Sequence, residues 1–431
     1  MSRSTPAEKA IREQIARDGR ITFAQFMEMA LYTAPGCYYG SARGKIGARG
    51  DYFTSPEVHP AFGALIARQV EQVWAAMGRP AAFDLVEMGA GTGALARDVL
   101  TYTGRWAPDF HRALRYTLVE RSDAQIRLQQ RTLGELGPLA ERVVWHHGSA
   151  LDIPSGSVEG CVLSNELLDA LPVHRVRIEG GELKELYVEI HQDQFVEIPD
   201  VPSDPALPAY FERLGFLPPD GCLTEVNLAA LEWMVRVADA LRRGAVITID
   251  YGYPARELYS RRHCDGSLLC FYHHTLNSDP FARIGQQDIT THVDFTSLAS
   301  AGESKGLQQL GLTTQRSFLA ALGIGCYLEQ LPRMGLRRRD LEANEAGMRE
   351  LLQRDGLGRI RVLLQQKGLA GFDPAGLRPE GLRPADLGRD IPVETPPVLT
   401  RDHLNLTEVL AGDLLLDAEG MWEELMGEGD G

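Results

Sequence analysis

The sequence predicts an α/β protein organised around a mostly parallel sheet, and three observations carry that expectation. Short β-rich runs alternate with helically spaced segments from Phe83 onward, as βαβ units do. One of those runs, Asp84-Leu-Val-Glu-Met, leads straight into glycines and then into helical Ala94-Leu-Ala-Arg-Asp-Val-Leu. The 431 residues also exceed a single unit of about 150, which leaves room for flanking or inserted modules.

Residues 1–80 read as a helical N-terminal region. Pro6-Ala-Glu-Lys-Ala-Ile-Arg opens one helix, and Phe23, Phe26, Met27, Ala30 and Leu31 form a second apolar stripe. A glycine-rich loop, Gly36 to Gly50, precedes Thr54-Ser-Pro-Glu57, which carries the marks of a helix N-terminus. The loop from Arg43 to Ser55 is a candidate lid with glycine hinges. Residues 81–172 and 245–370 make the expected sheet domain, with strands near Phe83, Tyr116, Arg142, Gly160, Ala245 and Ile360. Residues 173–244 form an insertion, whose alternation around Glu179-Gly-Gly-Glu predicts a hairpin that extends or covers the sheet. From 371 to 431 the chain reads as a linker and an acidic tail. Six prolines lie between Pro374 and Pro397, and Gly381 to Gly431 holds 12 acids against 3 arginines. Leu404, Leu406, Val409, Leu410, Leu414 and Leu415 suggest a short amphipathic helix there.

Composition narrows the function. The net charge of −15 disfavours a chain that coats nucleic acid or anionic lipid by charge alone, and no run of about 18 apolar residues marks a membrane span. The six cysteines include no CxxC pair and read as reduced. The N-terminus lacks an apolar signal core and carries acids unusual in transit peptides, so a cytoplasmic location is expected. The adjacent pairs His146-His147 and His273-His274 do not have metal-ligand spacing, and no metal is expected.

The glycine segment Glu87-Met-Gly-Ala-Gly-Thr-Gly93 is the strongest chemical signal. Glycines let a nucleotide-type cofactor approach a helix N-terminus. Gly89, Gly91 and Ala94 also satisfy a dinucleotide pattern, but a carboxylate at Glu87 suits a cationic amino-acid end and repels a pyrophosphate. Glu120, 31 residues after Gly89, can accept both hydroxyls of a ribose, which either cofactor carries.

The ordered blocks Gly50-Asp-Tyr-Phe-Thr-Ser-Pro-Glu57, Glu87 to Gly93, Val119-Glu-Arg-Ser122, Asn165-Glu-Leu-Leu-Asp-Ala-Leu-Pro172, Asp250-Tyr-Gly252 and Asp288 to Phe295 resemble the MidA-like S-adenosylmethionine-dependent methyltransferases. The likeness runs from about Ile21 to Lys367. It implies a class I methyltransferase with a Rossmann-like sheet, S-adenosylmethionine as cofactor, and a protein arginine as acceptor. The family's eukaryotic members are mitochondrial assembly factors for respiratory complex I, and the human one dimethylates an arginine of a complex I subunit. The tail after about Gly371 has no counterpart.

On that resemblance the expected cofactor residues are Thr54, Ser55, Glu87, Gly89, Gly91, Gly93, Glu120, Ser149, Ala150, Leu151 and Asn165. Ser149 stands where many methyltransferases place an acid for adenine, and Asp152 is a substitute. Glu166 is expected to meet the acceptor, with Asp169 bracing the loop. Asp250 and Tyr251 are expected to line the acceptor pocket, and His292 and Asp294 to close it; taken alone, each of these four reads first as structural. Three other functions stay open: a small-molecule methyltransferase, a nicotinamide dehydrogenase, and an assembly factor that binds the cofactor without turnover. Oligomeric state is not legible.

Overall fold

The computed structural model describes residues 4–40, 50–51, 53–389, 395–401 and 403. Its centre is a seven-stranded sheet of β1 (Phe83–Met88), β2 (Leu114–Glu120), β3 (Val143–His147), β4 (Val158–Asn165), β5 (Leu241–Asp250), β6 (Gln308–Thr314) and β7 (Arg361–Lys367), in the order β3-β2-β1-β4-β5-β7-β6. The first five strands are mutually parallel, whereas β7 runs antiparallel to both β5 and β6. Strand order reverses between β1 and β4, the place where ligands of open α/β sheets bind at the carboxyl ends.

Both faces are covered, as the apolar runs require. Leu85, Leu118 and Leu163 point into one core cluster with helices α2 (Ala61–Ala76) and α3 (Ala94–Trp106). Their neighbours Val86, Val119 and Val162 point the opposite way, toward α5 (Leu228–Ala240). Helix α1 (Pro6–Asp18) and α4 (Asp123–Gly134) complete the elements used below.

Four expectations are corrected. The inserted hairpin does form, His174–Glu179 against Glu182–His191, turning at Gly180 and Gly181 with φ of 61° and 81°. It neither extends nor covers the central sheet, because β4 and β5, which it connects, are interior strands with no free edge. Its strands instead build a separate five-stranded sheet with Gln194–Asp200, Leu223–Val226 and the N-terminal Ile21–Thr22. The cysteines are not all free: Cys222 and Cys264 form a disulfide, held opposite each other where the Leu223 N–H donates to the Cys264 carbonyl at 2.9 Å. Strand β6 went unpredicted because it is a polar edge strand.

The proline-rich stretch is not a free linker over its described part. It forms two short helical turns, Ala375–Leu377 and Pro384–Leu387, and buried glutamines of α2 take up its backbone: Ala375 N–H donates to Gln72 at 2.8 Å and Gly376 N–H to Gln69 at 2.9 Å. Arg389 then donates two bonds to buried Glu71, at 3.0 and 2.8 Å. The tail helix expected from Leu404 to Leu415 lies outside the described residues, as does most of the candidate lid, 43–49.

Candidate active site

Two adjoining cavities open at the carboxyl ends of β1, β2 and β4. The larger, about 350 Å³, is bounded by Gly89, Gly91, Glu120, Ser149, Ala150 and Glu166, with Met88, Val119, Leu167 and Trp233 as its apolar wall. The smaller, about 40 Å³, has Thr54, Glu57, Glu87, Asn165 and Glu166 among its walls and shares Gly89, Gly91 and Glu166 with the first.

The glycine loop earns its composition locally. Gly89, Gly91 and Gly93 have φ of 70°, 50° and 83°, the left-handed region that glycine enters without penalty. At Gly89 a Cβ would lie 2.8 Å from Leu167 Cδ1, so a side chain there collides with the cavity wall. Gly93 starts α3 and packs on Gln129 of α4 rather than facing either cavity.

Glu120 ends β2 with both oxygens anchored: Ser122 N–H donates to one at 2.9 Å and Gln129 Nε2 to the other at 3.2 Å. Gln129 also donates to the Gly91 carbonyl at 3.1 Å, tying Glu120 to the glycine loop. Sequence reasoning missed Gln129, since a glutamine on a helix face carries no motif. Glu87, buried at the end of β1, accepts the Tyr116 hydroxyl at 2.7 Å, and burial pushes its carboxyl up to about 7. Tyr116 was likewise missed, being indistinguishable from an ordinary strand aromatic.

Ser149 and Ala150 line the larger cavity, but Leu151 is exposed and lines neither. Asp152 turns back to accept the Ser149 N–H at 2.7 Å, so it is a cap rather than a substitute for an adenine acid. Thr54 does not cap its helix through its side chain; its hydroxyl bonds Glu57 instead. The Ser55 hydroxyl is buried against Gln315 at 2.9 Å, while its N–H reaches Glu166 at 3.4 Å.

Glu166 follows β4 with φ of 49°, a left-handed conformation that a non-glycine residue holds only when its surroundings dictate it. Its N–H is fixed on the Ile249 carbonyl at 2.8 Å, and Asn165 Nδ2 donates to its carboxylate at 3.1 Å. Burial, then the charge of Asp250, pushes Glu166 up to about 8. Asn165 Oδ1 is buried with no hydrogen-bond partner among the described residues. Asp250 accepts the N–H groups of Leu167 and Leu168 at 3.1 and 2.8 Å and its own neighbour Tyr251 at 2.9 Å. It braces the loop after Glu166 and lines neither cavity, as is true of Tyr251 and of buried Asp169. Burial, Asp250 and Glu166 hold the Asp169 carboxyl well above the usual range.

His292 and Asp294 do not close this site. They line a separate small cavity with Tyr210, Glu225 and Tyr259. Asp294 caps the helix Phe295–Glu303 and accepts the Tyr210 hydroxyl at 2.6 Å.

This arrangement fits S-adenosylmethionine: a carboxylate for ribose hydroxyls, an apolar slot for a base, and an acid-rich end for an amino-acid cation. A family described as S-adenosyl-L-methionine-dependent methyltransferases matches residues 65–313. A methyltransferase superfamily member from Burkholderia thailandensis, crystallised with S-adenosylhomocysteine, is 32% identical with a TM-score of 0.76, covering 86% of this chain and 94% of that one. The protein arginine methyltransferase NDUFAF7 of Mus musculus is 29% identical over 76% of each chain, and that of Homo sapiens 28% identical over 76% of this chain and 75% of its own. Both of the latter are named as mitochondrial, which corrects the expectation of a cytoplasmic protein. The N-terminal composition behind that expectation does not outweigh a likeness spanning three-quarters of the chain.

Proposed function

The chain belongs to the S-adenosylmethionine-dependent methyltransferases, and from that premise we propose that it methylates an arginine side chain of a protein partner. The observation that carries the reading is Glu166, a half-buried carboxylate in a constrained backbone at the edge of both cavities. Relatives named as protein arginine methyltransferases support the choice of acceptor.

When bound, the cofactor supplies a methyl group already activated on a sulfonium. The protein's tasks are alignment, exclusion of water and management of one proton. Glu120 holds the ribose hydroxyls, and Gln129 keeps that carboxylate aligned with the glycine loop. Glu166 receives the acceptor. A guanidinium, with an ordinary pKa above about 12, loses a proton as its nitrogen gains the methyl carbon and the sulfur–carbon bond breaks. Burial raises the Glu166 carboxyl to about 8, and the guanidinium's positive charge beside it favours its ionised form, which accepts that proton. Asn165 orients it, and Asp250 fixes the backbone that presents it.

The test is incubation of the protein with radiolabelled S-adenosylmethionine and arginine-containing protein acceptors, followed by mass spectrometry of the labelled product. Label on arginine, lost in Glu166→Gln with cofactor affinity retained, is the expected result. Label confined to small molecules, or undiminished in the variant, refutes the proposal.

A further inference from the structure

A buried carboxylate of the smaller cavity, Glu57, has no part in the reaction proposed above. Glu57 comes from outside the sheet domain, in the short helix Ser55–Val58, is 6% exposed and lines the smaller cavity together with Glu87 and Glu166. Thr92, between Gly91 and Gly93, donates its hydroxyl to one Glu57 oxygen at 2.8 Å, and Thr54 donates to the other. Two hydroxyls occupy about half of a carboxylate's roughly four acceptor positions. Among the described residues one hydroxyl donates to Glu87, that of Tyr116.

The small cavity is therefore walled by three carboxylates whose donors are all neutral, and among the described residues no lysine, arginine or histidine lines it. Like charges that share one small low-dielectric cavity cannot all ionise unless a cation joins them. The unpartnered Asn165 oxygen adds a fourth acceptor in the same wall. Glu166 borders both cavities, whereas Glu57 and Glu87 border only this one, beside the glycine loop. A compact cation with three donors, an ammonium, matches so small a space better than a planar guanidinium on its chain.

We propose that Glu57 is a cofactor-binding residue, whose carboxylate joins that of Glu87 in gripping the ammonium group of S-adenosylmethionine. Through Thr92 the same carboxylate ties the glycine loop to the N-terminal region, so that the cofactor's amino-acid end is recognised across two parts of the chain. The inference rests on the cofactor and is independent of the acceptor.

The experiment is calorimetric titration of three probes into wild type and Glu57→Gln: S-adenosylmethionine, S-adenosylhomocysteine and 5′-methylthioadenosine, which has no amino-acid end. Tenfold or greater weakening of the first two, with 5′-methylthioadenosine unchanged, is the expected result. Weakening of S-adenosylmethionine alone assigns Glu57 to the sulfonium and overturns the proposal. Equal loss of all three makes Glu57 a prop of the loop, and no loss at all removes it from cofactor binding; either overturns it too. Should Glu57→Gln fail to fold, Thr92→Val, which frees the carboxylate from its loop donor, is expected to weaken the first two probes severalfold and spare the third, and equal effects refute the idea. A wild type that binds none of the probes fails the cofactor assignment itself.

Discussion

Replacing Gly89 by alanine tests the glycine loop by adding one methyl group. Two penalties follow from the structure. The residue must hold φ near 70°, which costs an L-residue about 1–2 kcal/mol. Its Cβ must also displace Leu167 Cδ1 from 2.8 Å, and an off-rotamer leucine costs about 0.5–1.5 kcal/mol. The sum, about 1.5–3.5 kcal/mol, is expected as lost stability in denaturant melts. Because Leu167 is part of the larger cavity's wall, its movement also encroaches on the nucleoside slot, and its share of the cost is expected to lower cofactor affinity by about two- to tenfold. The matched control is Gly181→Ala, where φ is 81° but nothing lies within 4 Å of the added carbon. That variant is expected to lose only the backbone penalty and to bind the cofactor normally. Calorimetry and urea melts on both variants decide the matter: if Gly89→Ala binds S-adenosylmethionine like wild type, the steric reasoning is wrong.

Three further outcomes are expected. Glu120→Ala removes an acceptor for two hydroxyls and is expected to weaken S-adenosylmethionine binding by about 10- to 100-fold, with Gln129→Ala weaker by only a few-fold; equal affinities in a titration refute the ribose assignment. Glu87 and Glu166 have folded-state carboxyls raised to about 7 and 8 from 4.5, so each favours folding fully below pH 4.5, and that contribution is lost as pH rises through 7 and 8. In thermal melts without ligand, the stability advantage of wild type over Glu87→Gln is therefore expected to shrink between pH 5 and 9, and an advantage that grows contradicts the assignment. Glu71→Gln leaves Arg389 without its ionic partner and is expected to cost about 1–3 kcal/mol in denaturant melts, whereas a neutral result means the strap after β7 contributes little to stability.

The sheet domain was legible because its strands carry unbroken apolar runs, and the glycine loop because positive φ at Gly89, Gly91 and Gly93 has few other solutions. The position of Glu166 at the carboxyl edge of the sheet was legible from its place after a strand. What escaped was relational. Gln129 and Tyr116 matter through what they touch, and nothing in a glutamine or tyrosine announces a partner 38 or 29 residues away. His292 and Asp294 misled for the same reason, since a motif fixes residue types but not which cavity they face. The proline-rich stretch misled by composition: buried Gln69 and Gln72 hold it down, and their role is invisible until the two segments meet.

The chain leaves the sheet domain just past Asn165 and Glu166 and returns at β5, where Asp250 fastens the departing loop by two backbone N–H groups. The separate sheet lies wholly within the excursion apart from Ile21–Thr22. A graft of residues 173–240 from a relative would therefore have several outside seams to match, among them the N-terminal strand at Ile21, the Cys222–Cys264 disulfide and Trp233 in the wall of the larger cavity.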